Sequence, residues 1–233
     1  MKVFKFFTIG ALSVCILTSS GCSSFTNTGK GALIGGGGGA AVGAGLGAII
    51  GGGKGAGIGS AIGAAVGAGA GALIGKKMDK QKAELEKELA EKAEVETVQD
   101  QNGLQAIKVT FNGGILFPTN GTTLSTSART DLTAFASSLL NNPETNVQIF
   151  GFTDNTGSMA VNERVATGRA DAVRNYLLNS GVSASRLSAE GIPMADYVAS
   201  NATPEGRAQN RRVEIYISAN QQMIQQAQAE TLQ

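Results

Sequence analysis

One acidic and one basic residue are spaced so that they could form a charged binding site. Asp154 follows the short apolar run 146–152, and Arg169 lies in a later stretch that has the pattern of a helix, with Asn162 two turns before it on the same side. A guanidinium on the apolar side of a helix needs a carboxylate, because an unpaired buried charge is strongly destabilising. Asp154 is the nearest candidate in sequence. The spacing leaves two interpretations open, a structural salt bridge or a ligand site.

The composition excludes most catalytic chemistry. The chain has 233 residues, no histidine, and two cysteines, Cys15 and Cys22, both near the start. The usual general base and the commonest metal ligand are therefore missing, and Asp154 has no acidic partner in its motif. We therefore expect neither an enzyme, nor a metal site, nor a cofactor. A net charge of +1 also argues against a nucleic-acid partner.

The elements that would position the pair alternate between strands and helices. Strand patterns cover 104–111, 146–152, 186–192 and 211–218, and helix patterns cover 125–142 and 160–180. Ser125 is a candidate N-cap, and Gly181 ends the second helix. On a helical wheel Arg169 lies within an apolar stripe made of Val161, Val165, Ala172, Val173 and Tyr176. This order predicts an α/β sandwich large enough for its own core.

The first residues have the layout of an export signal. Lys2 and Lys5 precede the apolar run 6–17, and small residues lead to Cys22. We predict a lipoprotein signal peptide over 1–21, a lipidated Cys22, and a lipid-anchored linker over 22–30. The alternative is an ordinary signal peptide followed by a free cysteine. No acidic residue follows Cys22, which indicates the outer membrane.

Residues 31–76 form a low-complexity segment in which glycine recurs at every fourth position from Gly31 to Gly75. On a helix this spacing gives a glycine ridge that lets backbones approach closely, as in membrane helix pairs. Each interior glycine costs a helix about 1 kcal/mol in water, so helix here needs lipid or close partners. We predict a membrane-associated glycine-zipper hairpin. A flexible linker and a β structure remain alternatives.

Two further segments differ in composition from their neighbours. Residues 77–99 begin with charges of both signs at helical spacing, with Leu85 and Leu89 one turn apart, and they predict a charged, solvated helix or stalk. Residues 219–233 are rich in glutamine and predict a tail that is either a frayed helix or disordered.

Three motifs carry a resemblance to a known family. They are "LFPTNGTTL" at 116–124, "FGFTDNTGSMAVNERVATGRADAVRNYL" from 150, and "EGRAQNRRVEI" at 205–215. Together they resemble the OmpA C-terminal domain family over roughly residues 100–218. The resemblance implies a βαβαββ sandwich, preceded here by the glycine-zipper hairpin. The front half of the chain is similar to that of outer-membrane lipoproteins that combine the same parts.

The resemblance also implies a ligand. The family binds peptidoglycan non-covalently, and its aspartate and arginine hold the diaminopimelate of the stem peptide; these positions match Asp154 and Arg169. Neighbouring contact positions match Thr119, Asn120 and Asn162. The closing motif contains Arg207, Asn210 and Arg211, for which we expect a role in loop structure.

These observations predict a lipid-anchored, periplasm-facing protein of the outer membrane that tethers this membrane to the cell wall. Its expected partners are peptidoglycan and membrane lipid, with a homo-oligomer through the glycine zipper as a further possibility. In the alternative, the zipper is the active part and forms an oligomeric membrane assembly or pore, with the wall-binding domain as its anchor.

Overall fold

A five-stranded sheet carries the longer helices on one of its faces. The computed structural model describes residues 66–100, 102–118 and 121–232. The strands are β1 Ala93–Gln99, β2 Gln105–Asn112, β3 Thr145–Phe152, β4 Leu187–Ile192 and β5 Arg212–Ala219. Their spatial order is β1-β2-β5-β3-β4, and only the β3–β4 pair is parallel.

The helices fill the connections and extend the fold at both ends. They are α1 Ala68–Glu88, α2 Gly113–Leu116, α3 Thr126–Asn141, α4 Met159–Asn179, α5 Pro204–Asn210 and α6 Gln221–Thr231. The Ser125 side chain accepts the Ala128 N–H and caps α3 as predicted. Gly181 follows α4 with a φ of +97°, the left-handed conformation that favours glycine at a helix end.

The hydrophobic core lies between the helices and the sheet. Alternate residues of the central strands, such as Val109, Phe111 and Ile215, are fully buried and pack with α3 residues such as Leu132 and Phe135. The predicted α/β sandwich and its βαβαββ order are confirmed, with β1, α1 and α6 as additions to that unit.

The prediction for the charged segment, residues 77–99, is wrong. Residues 77–99 are not one solvated helix or stalk, because the helix ends at Glu88 and Ala93–Gln99 forms edge strand β1. Leu85 and Leu89 are fully buried in the core. The β-branched residues of "AEVETVQ" favour a strand, and Lys108 of β2 pairs with Glu96 at 2.6 Å, so the charges suit the sheet equally well.

The glutamine-rich tail is also more ordered than predicted. Residues Gln221–Thr231 form helix α6, whose Asn220 side chain accepts the Met223 N–H at the N-cap. Met223, Ile224 and Ala227 are buried against α1. The core therefore includes residues on both sides of the predicted domain limits, 100 and 218.

Helix α1 joins the glycine-rich segment to the sheet domain. It starts at Ala68, inside the predicted zipper, and continues without interruption past Lys76. Ala70, Ile74 and Met78 belong to the domain core. Cys22 and residues 31–65 lie outside the described residues, so the lipid anchor and most of the hairpin stay predictions. Among the helices that the structure describes, none is long and apolar enough to cross a membrane.

Close contact between α4 and the sheet fixes the helix that carries Arg169. A Cβ atom placed on Gly151 of β3 would lie 2.2 Å from the Ala166 carbonyl oxygen, and one on Gly191 of β4 would lie 2.3 Å from the Thr167 nitrogen. Both obstacles are backbone atoms, so a side chain at either position would push the helix away.

We expect Gly151→Ala to destabilise the protein because α4 cannot keep its present distance from β3. Overpacking of this kind typically costs about 1–3 kcal/mol. Chemical denaturation measures the free energy of unfolding. Gly67→Ala is the matched control, because nothing lies within 4 Å of a Cβ at Gly67. Equal stability of Gly151→Ala and the parent would show that the contact is not as tight as described.

Candidate functional site

Asp154 lies in the loop that follows β3, and this loop is fixed by hydrogen bonds. The Asp154 carboxylate accepts the Thr156 backbone N–H at 2.8 Å and also the Thr156 hydroxyl. Asn162, at the start of α4, donates from Nδ2 to the Thr156 carbonyl at 2.7 Å and to the Ser158 carbonyl at 3.1 Å. Asn162 therefore positions the loop that carries the carboxylate.

The ion-pair partner of Asp154 is Arg211. The Arg211 guanidinium donates to Asp154 Oδ2 at 2.6 Å, and the Asp154 side chain is buried while that of Arg211 is 38% exposed. Arg211 directly precedes β5, and its carbonyl accepts the Gly113 N–H at 2.7 Å. The interpretation of Arg169 as the salt-bridge partner of Asp154 is therefore wrong. Arg211 keeps the loop role expected of it, because it holds the loop that carries Asp154.

Arg169 is buried, with only 3% of its surface exposed, and its bonding capacity is not filled. Its Nε donates to the Gly121 carbonyl at 3.1 Å, and its guanidinium carbon lies 5.4 Å from the centre of the Phe117 ring. One terminal nitrogen, Nη1, is buried with no hydrogen-bond partner in the described part of the chain. A buried donor without an acceptor is costly in free energy, and such groups often mark functional sites.

The electrostatics of these three side chains favour an anion. Burial lowers the pKa of Arg169, the nearby charge of Arg211 lowers it further, and the charge of Asp154 opposes both effects. Burial alone would raise the pKa of Asp154, but hydrogen bonds from Thr156 and the pairing with Arg211 outweigh burial and lower it overall. Asp154 is therefore ionised at neutral pH. Two guanidinium groups then face one carboxylate, which leaves one positive charge uncompensated.

We call Asp154, Arg169 and Arg211 the charged site. Of the five predicted contact residues, the structure brings Asp154, Arg169 and Asn162 to one end of the sheet. Thr119 and Asn120 lie outside the described residues, between Pro118 and Gly121. Arg169 contacts Phe117 and Gly121, so both flanks of this gap adjoin the charged site.

One ion pair was missed at the sequence level. The pairing of Arg211 with Asp154 joins residues 57 positions apart, and the place of Arg211 in the closing motif was the available signal. Asn210, fully buried, has the loop role expected of it, because its side chain holds Val198 and Ala199 by accepting their N–H groups at 2.9 and 3.0 Å. That loop in turn adjoins the Asp154 loop, because the Asn201 side chain accepts the Asn155 N–H at 3.3 Å.

The charged site has the composition of a recognition site. In the part of the chain that the structure describes, no group of three or more acidic or cysteine side chains is placed to hold a metal ion. What the site offers is one carboxylate, one unfilled guanidinium and a partly exposed second guanidinium. This set suits a ligand that carries an ammonium and a carboxylate close together.

Two known families match different parts of the chain. Residues 116–211 match the OmpA family. Residues 1–79 match the YMGG-like Gly-zipper family, and this match extends into helix α1. The OmpA match covers most of the sheet domain, and the Gly-zipper match covers the glycine-rich segment.

Two curated relatives are similar to about half of this chain. The chain is 42% identical over 104 residues to the "Probable lipoprotein YiaD" of Escherichia coli, covering 45% of this chain and 48% of that protein. It is 40% identical over 113 residues to the peptidoglycan-binding protein ArfA of Mycobacterium bovis, covering 48% of this chain and 35% of that protein. The chain thus spans about half or less of the length of these relatives.

A solved structure supports the fold. The cell wall anchor of the T6SS from Pseudomonas aeruginosa superposes with a TM-score of 0.51 and 29% sequence identity, covering 58% of this chain and 97% of that one. The three proteins are named as a lipoprotein, a peptidoglycan-binding protein and a cell wall anchor, and none of these names describes an enzyme.

Proposed function

We propose, from the OmpA family domain that residues 116–211 form, that this chain binds peptidoglycan without modifying it and tethers the outer membrane to the wall. The relatives named for peptidoglycan binding and for wall anchoring support this function. The absence of histidine from the chain supports a binding role rather than catalysis.

The unfilled Arg169 nitrogen is the observation that carries the proposal. Nη1 is buried near the charges of Arg211 and Asp154, and the described part of the chain offers it no acceptor. A ligand carboxylate would accept this hydrogen bond and offset the uncompensated positive charge. Diaminopimelate, the proposed ligand group, presents an ammonium and a carboxylate on one carbon, so one end of it can satisfy both halves of the charged site.

Each residue of the charged site has a distinct role in this proposal. Arg169 binds the ligand carboxylate, and Asp154 binds the ligand ammonium with the acceptor capacity that Thr156 and Arg211 leave. Arg211 keeps Asp154 ionised and oriented. Asn162 fixes the loop, and Thr119 and Asn120 are further proposed contacts.

The proposed tether also needs an anchor in the membrane. Lipid on Cys22 would hold the chain to the outer membrane, with the domain facing the periplasm. The match to the Gly-zipper family and the continuity of α1 support a helical segment between anchor and domain. Oligomerisation through the zipper, as an assembly or pore, remains the alternative function, and it rests on residues outside the described part of the chain.

Co-sedimentation tests the proposed function. The purified full-length chain, kept soluble in detergent, is mixed with isolated sacculi whose stem peptides contain diaminopimelate, and the pelleted fraction is measured. We expect saturable pelleting that soluble sacculus fragments reverse. A chain that stays in the supernatant at all sacculus concentrations would contradict peptidoglycan binding.

A further inference from the structure

A groove of about 640 Å³ lies on the sheet face opposite the longer helices. Its floor is made by outward-facing side chains of β2 and β5, and its walls by residues 91–94 and by Val198 and Gln209. Cavities of roughly 300–1,000 Å³ are typical of small-molecule sites. We call it the sheet groove. It lies apart from the charged site, on the other side of the strands.

The sheet groove is neutral overall. Its charged lining residues are three acids and three bases, Glu91, Glu94, Glu214, Lys92, Lys108 and Arg212. All three bases are already paired. Arg212 donates to Glu214 at 2.7 Å, Lys108 pairs with Glu96 at 2.6 Å, and Lys92 pairs with Asp131 at 2.7 Å. An anionic ligand would therefore find no unpaired base in this lining, whereas a neutral, polar ligand can bind the uncharged lining groups.

The remaining lining groups are suited to hydroxyl and amide partners. The Thr110 hydroxyl is buried and has no hydrogen-bond partner in the described part of the chain. Gln209 adds a side-chain amide that both donates and accepts, and Asn112, whose Oδ1 already accepts the Gly114 N–H at 2.9 Å, adds the donors of its Nδ2. A ligand rich in hydroxyl and acetamide groups would satisfy all three without introducing a charge.

The sheet groove begins where the charged site ends. Asn112 and Arg212 are paired across β2 and β5 at the end of the sheet. The next residues along each strand, Gly113 and Arg211, are joined by a backbone hydrogen bond, and Arg211 binds Asp154. A ligand held in the charged site can therefore continue over this end of the sheet into the groove.

The geometry points to a glycan subsite: the sheet groove takes the N-acetylated sugars of the same wall fragment whose stem peptide occupies the charged site. This inference rests on the proposed function. Two residues separate diaminopimelate from the glycan in a stem peptide, a span of roughly 7 Å when extended. Residues 91–94 and β2 precede residue 116, so most of the sheet groove lies outside the OmpA-matched segment.

Two ligands that differ only in the sugars test the glycan subsite. The full-length chain in detergent is titrated by calorimetry with a diaminopimelate tripeptide and with the same tripeptide attached to its disaccharide. We expect the disaccharide to tighten binding about tenfold, which corresponds to about 1.4 kcal/mol. Equal affinities would overturn the glycan subsite and leave the proposed function intact. Binding of neither ligand would overturn both.

Groove variants identify where the sugars bind. Thr110→Val with Gln209→Ala removes two polar groups of the sheet groove and touches no residue of the charged site. It should abolish the tenfold advantage of the disaccharide ligand and leave the affinity for the bare tripeptide unchanged. Thr97→Val is the matched control, because Thr97 is an exposed strand residue outside the groove lining. Retention of the full advantage by the double variant would overturn the assignment to this groove.

Discussion

Asp154→Ala and Arg169→Ala are each expected to give a folded protein that no longer co-sediments with sacculi. Removing one partner of a buried, hydrogen-bonded charge pair at an interface typically costs roughly 2–5 kcal/mol of binding free energy. Asp154 is 4% exposed and Arg169 is 3% exposed, so both charges meet the ligand away from water. The loss in affinity should therefore be at least about 30-fold.

The two variants should differ in stability. Asp154→Ala leaves the Thr156 N–H without its acceptor and Arg211 without its carboxylate, so some loss of stability is expected. Arg169→Ala removes a cation whose Nη1 already lacks a partner in the described part of the chain, so the ligand-free protein loses less stability. Thermal unfolding of each variant, measured beside binding, separates the two effects.

Conservative variants sharpen the test of the charged site. Asp154→Asn keeps an oxygen for the Thr156 N–H but loses the charge, and Arg169→Lys keeps the charge but loses the planar donor set. Both should bind sacculi weakly while unfolding near the parent temperature. Arg164→Ala is the control, an exposed arginine on the same helix. If the variants unfold far below the parent and regain binding whenever they are kept folded, the residues are structural.

Cys22→Ala is expected to release the protein from the outer-membrane fraction. The predicted anchor consists of acyl chains on Cys22, and two or more chains give stable attachment where one chain is marginal. Fractionation of cells measures the distribution, and mass spectrometry of the mature N-terminus detects the lipid. The effect should be nearly complete if lipid is the main anchor.

Cys15→Ala is the matched control for this experiment. Cys15 lies inside the predicted signal peptide 1–21 and should leave with it, so its substitution should change neither lipid nor location. Unchanged membrane retention of Cys22→Ala would contradict the lipid anchor and would indicate that the glycine-rich segment is sufficient to hold the chain.

Local sequence signals predicted the helices and strands of the central unit well. Ser125 and Gly181 mark helix ends by short-range hydrogen bonding and backbone conformation, which sequence alone reveals. The buried side of α4 was less well predicted. Val161 is 44% exposed, whereas Asn162, Ala166 and Arg169 are buried. The buried face of α4 is therefore rotated about the helix axis from the apolar stripe that the sequence predicts. Close backbone packing at Gly151 selects small residues on the facing side of α4, such as Ala166 and Ala170, and hydrophobicity does not signal this requirement.

Strand β1 shows why the sequence of a charged segment does not distinguish a strand from a solvated helix. Its glutamates lie on an edge strand, where one face is open to solvent and Lys108 compensates Glu96. The same alternation of charges also fits a solvated helix, and only pairing with β2 decides between the two. Such pairing depends on the whole sheet, so the sequence of the segment could not reveal it.

The sequence predicts which residues of the charged site lie close together within one segment, but not the ion pair between distant segments. Asp154, Asn162 and Arg169 lie within one strand–loop–helix unit, so their proximity follows from local order. The choice of Arg211 over Arg169 as the partner of Asp154 depends on antiparallel pairing of β3 with β5, which brings the start of β5 to the end of β3. That contact is distant in sequence, and no periodicity within either segment encodes it.

Competition by free amino acids tests the diaminopimelate proposal most directly. The full-length chain is bound to sacculi in detergent, and free diaminopimelate or free lysine is added while the released fraction is measured. We expect diaminopimelate to release the protein at much lower concentration than lysine, because lysine lacks the second carboxylate. Equal release by the two amino acids would contradict the diaminopimelate proposal, since Arg169 would then not bind the second carboxylate.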